Sequence, residues 1–135
     1  MASLLPSYDG LLPYWLLVVS SMAGMATTAA FISTENGSKM YNGPTASRQV
    51  SGLSTRLFGT WTSLAMMIRI YAAYNIDNKV AYDICMWSFV VVTAHFGSEC
   101  WVYGTMRLGK ETLPAFMVAS LSYAWMFAQR KFYIT

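Results

Sequence analysis

Residues 53–105, LSTRLFGTWTSLAMMIRIYAAYNIDNKVAYDICMWSFVVVTAHFGSECWVYGT, decide the fold. Two apolar stretches, 53–74 and 80–105, flank the polar link Asn75-Ile76-Asp77-Asn78-Lys79. A link this short joins two helices as an antiparallel hairpin. Each stretch reaches the length of about 20 predominantly apolar residues that a membrane-spanning helix needs.

Outside the hairpin the pattern repeats. Residues 11–32 form a further apolar run, with Pro13 suited to a first helical turn and Tyr14 and Trp15 suited to the headgroup level. Residues 113–128 form a shorter one, with Pro114 near its start and Gln129, Arg130 and Lys131 closing it. Four spans with short connections nearly exhaust a chain of 135 residues. The chain is 56% hydrophobic and 11% charged, against about 25% charged in soluble domains. The expectation is one all-α, polytopic membrane domain over residues 1–135, a bundle of four transmembrane helices. Residues 33–52 turn to Ser, Asn, Gly, Thr and Pro and read as a polar loop. Its Asn36-Gly37-Ser38 matches a glycosylation acceptor, a triplet that also arises by chance. The first run is expected to be a retained helix and not a cleaved leader, because no Lys or Arg precedes it and Asp9 does.

The charge of +3 comes from basic residues scattered over several flanks, which fits interface anchors and not the stripe that binds nucleic acid. Lys79, Arg130 and Lys131 fall on one side, and Lys39, Arg48, Arg107 and Lys110 on the other, so orientation is open. The even span count puts both termini on one side. Cys85 and Cys100 lie about 22 Å apart along one helix and cannot pair with each other.

The chain has a single histidine, His95, which excludes the histidine-rich membrane di-iron oxygenases. His95, Glu99 and Cys100 are too few for a zinc site, and neither a dinucleotide fingerprint nor a Walker loop occurs. No metal or cofactor is expected. What stands out is ionisable residues at membrane depth, each costing about 2.5 to 3.5 kcal/mol at the bilayer centre. His95 and Glu99, four apart, share a helix face and read either as a proton-transfer pair or as a buried polar anchor. Residues equidistant from the hairpin midpoint lie at similar depth. Arg56 is 21 positions before Asp77 and Glu99 is 22 after it, while Arg69 is 8 before and Asp83 is 6 after. Both pairs are expected to be level. However, Arg56 and Arg69 point about 220° apart, so at most one pair meets directly, and snorkelling is the alternative for either arginine. The expected register-holding contact is Arg56 with Glu99.

Ser20, Gly24 and Thr28 in the first span, and Thr55, Gly59 and Ser63 in the second, form rows of small residues at four-residue spacing. They serve close packing within one bundle or a homodimer contact. Trp61 and Trp87 sit inside spans, where they fill the packing or wall a flat apolar ligand such as a sterol.

The hairpin resembles that of the ergosterol biosynthetic protein 28 family. The resemblance is carried by Leu53, Arg56, Phe58, Gly59, Trp61, Thr62, Ile68, Arg69, Asn78, His95, Phe96, Ser98, Glu99, Tyr103, Gly104 and Thr105. It is strong over residues 53–110, looser at PYWLL, LPAFMVAS and AQRKFY, and absent from residues 33–52. The resemblance implies a non-catalytic, multi-pass scaffold of the endoplasmic reticulum membrane. Its implied partners are a sterol C-4 methyl oxidase, a 3β-hydroxysteroid dehydrogenase/decarboxylase and a 3-ketosteroid reductase. The rival reading is a small membrane enzyme acting on sterols through His95 and Glu99.

Overall fold

The structure, a computed structural model, describes residues 6, 10–107, 109 and 112–134, without the side chains of Gly37 and Ser38. Asp9 and Lys110 lie outside the described residues. The described chain is all α. Its elements are α1 (Leu12–Ile32), α2 (Thr34–Met40), a 3-10 turn at Ala46–Arg48, α3 (Gly52–Tyr74), α4 (Lys79–Trp101) and α5 (Leu113–Tyr133).

Local chemistry sets the helix ends. Pro13 and Pro114 occupy the first turns of α1 and α5, where a missing N–H leaves no helical bond unmade. Ser51 caps α3 in a reciprocal box with Ser54. The Asn78 side chain accepts from the Ala81 N–H at 3.1 Å and starts α4. Between α3 and α4 the turn is closed by the Asn78 N–H on the Asn75 carbonyl, with Ile76 wholly buried beneath it. The hairpin is as expected.

The four long helices form a ring in which α1 packs on α3, α3 on α4, α4 on α5 and α5 on α1, the α1–α3 contact being the most extensive. That seam is made by small residues. A Cβ on Gly59 would sit 2.9 Å from Phe31 and 3.1 Å from Ala30, one on Gly24 would sit 3.1 Å from the Met66 sulfur, and Ser20 is buried. Thr27 donates its hydroxyl to the Gly59 carbonyl at 3.3 Å. Ser20, Gly24 and Gly59 are thus used within the chain, whereas Thr28 is exposed and Ser63 is half-buried. On the opposite side Tyr82, wholly buried on α4, donates to the Met126 carbonyl of α5 at 2.5 Å, and Trp15 donates to Ser122 at 2.8 Å.

Three boundaries differ from the sequence expectation. Residues 33–52 are not wholly loop, since Thr34–Met40 is helical, and Asn36 there donates its side-chain amide to the Ala29 carbonyl at 2.6 Å. The fourth helix runs past residue 128 to Tyr133, because Gln129, Arg130 and Lys131 are good helix formers that continue it beyond the apolar run. The third helix, expected to reach residue 105, ends at Trp101. By length and composition α1 and α4 are long and apolar enough to cross a membrane. Helices α3 and α5 are as long, at 23 and 21 residues, but are less apolar over their length.

Candidate functional site

The polar residues singled out in the sequence separate into three places. The first is at the α2 end of the bundle. There the segment after α2 runs beside the segment after α4, joined by Gly43 N–H to the Thr105 carbonyl at 2.9 Å and Thr45 N–H to the Gly104 carbonyl at 3.2 Å. The Thr45 hydroxyl donates to the Tyr103 carbonyl at 2.6 Å. Gly43 is required by this approach, because a Cβ would collide with the Gly104 carbonyl and lie 2.6 Å from the Thr105 carbonyl carbon. Gly104 turns the second of these segments at φ 69°.

This junction delivers two groups to the His95–Glu99 face. The Tyr41 hydroxyl lies 2.7 Å from His95 Nε2, and the Thr105 hydroxyl donates to Glu99 Oε2 at 2.5 Å. Burial pushes the Tyr41 phenol pKa well above its ordinary value, with the Glu99 carboxylate adding in the same direction. The ring tautomer of His95 sets which of the two groups donates in this hydrogen bond. Trp61 lies edge-on to His95 at 5.5 Å, and Phe58 to Tyr41 at 5.8 Å. Together with Ser54, Leu57 and Val50 these residues line a cavity of about 240 Å³. Tyr41 has no signal in the sequence, where it lies among polar loop residues.

The expected contact between Arg56 and Glu99 is not made. Arg56 is exposed and folds back over the start of its own helix, so that a Cβ on Gly52 would sit 2.9 Å from its Nη1. The direction of the side chain is what differs from the expectation. The face of α3 that meets Glu99 is Ser54, Leu57, Phe58 and Trp61, and Arg56 is turned about 200° from Phe58.

The second place is the outer edge of α4 and α5. Asp83 does not meet Arg69. It takes a two-pronged ion pair from Arg130, Nε at 2.9 Å and Nη2 at 3.0 Å, because α5 extends far enough to bring a cation level with it. The third is the bundle interior. Arg69 is 6% exposed, donates from Nε to the Ser88 hydroxyl at 3.3 Å and stacks on the Phe89 ring at 4.2 Å. Its Nη2 is buried and has no hydrogen-bond partner among the described residues.

Of the two tryptophans, Trp61 is half-buried in the aromatic cluster and Trp87 is 66% exposed on the outside of α4. Cys85 and Cys100 are both free thiols. Among the described residues, no group of three or more His, Cys, Asp or Glu is placed to hold a metal.

A protein-family model described as "Erg28 like protein" matches residues 12–124. "Ergosterol biosynthetic protein 28" of Candida albicans is 36% identical over 133 residues, covering 98% of this chain and 95% of the relative. The protein of the same name from Saccharomyces cerevisiae is 34% identical, covering 92% and 83%. The human "Ergosterol biosynthetic protein 28 homolog" is 40% identical, covering 80% and 76%. No solved structure matches. The family match covers the whole hairpin, including His95, Glu99 and Arg69, and the chain belongs to the Erg28-like protein family.

Proposed function

We propose that the chain acts in sterol biosynthesis as a non-catalytic, multi-pass scaffold of the endoplasmic reticulum membrane. In this reading it tethers a sterol C-4 methyl oxidase, a 3β-hydroxysteroid dehydrogenase/decarboxylase and a 3-ketosteroid reductase. The observation that carries the reading is membership of a family whose relatives are named for ergosterol biosynthesis, over nearly the whole chain. Two features of the structure support it. His95 and Glu99 each hold a hydroxyl brought in by a connecting segment, so that the pair fastens the end of the bundle. The outer helix faces carry large apolar side chains, among them Trp87, Leu64, Met25 and Phe127, suited to lipid or to other spanning helices.

Helix length supports four spans. At 21 to 23 residues, the long helices measure about 31 to 35 Å and match the hydrocarbon core of about 30 Å. Arg56 at the start of α3 and Arg130 and Lys131 at the end of α5 sit where long cationic side chains reach the interface. A tether of this kind raises the effective concentration of successive enzymes, so an apolar intermediate passes between neighbours before it disperses in the bilayer. Affinity purification from native membranes in mild detergent tests the reading. Recovery of all three enzymes with the chain is expected, and recovery of none overturns it.

A further inference from the structure

A second cavity, of about 260 Å³, runs between all four long helices. Ala23 of α1, Ala65 of α3 and Ala119 of α5 give it smooth walls, and Trp61 and Phe89 close its sides. Along α3 its lining extends from Phe58 to Arg69, about 16 Å of helix. The hydroxyl of Thr62, a polar wall residue, is already bonded to the Phe58 carbonyl at 2.6 Å. Arg69, at the end of this lining, is different. Its guanidinium lies on Phe89, itself a wall, and Nη2 has no partner among the described residues although the residue is 94% buried. The neighbouring carboxylate that matches it in depth, Asp83, is held by Arg130.

A guanidinium buried among apolar side chains without a counter-charge is costly, and a carboxylate accepting its free N–H removes most of that cost. We propose that this cavity binds a flat or rod-shaped apolar molecule ending in a carboxylate, with the carboxylate on Arg69 and the apolar body along the alanine walls. Its volume is slightly below the range of about 300 to 1,000 Å³ typical of ligand pockets, so part of the body lies outside, in the hydrocarbon. Such a carboxylate comes from one of two sources, a fused-ring acid or a straight-chain fatty acid. The inference does not depend on the scaffold reading.

The full chain in phosphatidylcholine nanodiscs, with empty discs as background, tests it. Radiolabelled cholanic acid, hexadecanoic acid and their corresponding primary alcohols are the probes. At least one acid is expected to bind saturably and about tenfold more tightly than its alcohol, the difference a charge-assisted hydrogen bond supplies. The tighter of the two acids identifies the source. Arg69→Gln is expected to abolish the preference for acid over alcohol, and Ala119→Phe, which fills the cavity and keeps the cation, to abolish saturable binding of both. Equal binding of acid and alcohol by the unmodified chain overturns the proposal without recourse to any variant. Acid preference that survives Arg69→Gln overturns it as well.

Discussion

The His95–Glu99 pair and Arg69, at opposite ends of the α3–α4 hairpin, are accommodated in opposite ways. At the α2 end, His95 and Glu99 receive Tyr41 and Thr105 from two connecting segments zipped together by backbone hydrogen bonds. Toward the turn, Arg69 is more deeply buried, bonds to Ser88 on the facing helix, and among the described residues finds no partner for one nitrogen. A polar group satisfied by the fold is a fastening, and its removal loosens the fold. A polar group left unsatisfied contributes little or negatively to the fold and is retained for some other use.

The contrast is broken most severely at Gly43. Gly43→Ala forces a Cβ into the Gly104–Thr105 backbone and separates the two segments that feed the first cluster. A loss of about 3 kcal/mol is expected, the upper end of ordinary overpacking, seen as a lowered melting temperature in detergent. His95→Ala removes the partner of Tyr41 and is expected to cost about 1 to 3 kcal/mol. Under the same conditions Arg69→Met should be neutral or stabilising, by up to about 4 kcal/mol, because it replaces an unpaired buried charge with an apolar side chain of similar length. If Arg69→Met destabilises as much as His95→Ala, the contrast between the two sites fails.

These sites were unequally legible in the sequence. Apolar run length and the short link fix the helices and the hairpin, and helical rise is what suggested Arg56 as the partner of Glu99. Depth says nothing of direction, and the turn of 100° per residue points Arg56 away while Phe58 and Trp61 face His95. Arg69 and Asp83 were expected to be level, but α5 continues past its apolar run and brings Arg130 to Asp83. Tyr41 was not legible at all. Its place depends on a long-range backbone pairing between residues 43–45 and 104–105 that no local periodicity encodes.

The first cluster also has a pH signature. The Tyr41 phenol has a folded pKa raised above its ordinary value of 10.0, so folding favours the protonated form. Its contribution is complete below pH 10.0 and is lost as pH rises toward the folded value. A decline in melting temperature on raising pH through that range is expected, and Tyr41→Phe should remove part of it. The smallest effect is expected at Asp83→Asn. The Arg130 pair lies at the edge of α4 and α5 with both side chains about a third exposed, and its loss should shift the melting temperature little, less still in high salt.

The central claim is that the chain organises other enzymes and does no chemistry itself. It is tested most directly by following a C-4 methylated sterol through liposomes that hold the oxidase, the dehydrogenase/decarboxylase and the reductase, with and without this chain. The account predicts that adding the chain lowers the standing level of released intermediates and speeds the appearance of demethylated sterol, while the chain by itself converts nothing. Conversion of the sterol by the chain alone, abolished by His95→Ala, would contradict it.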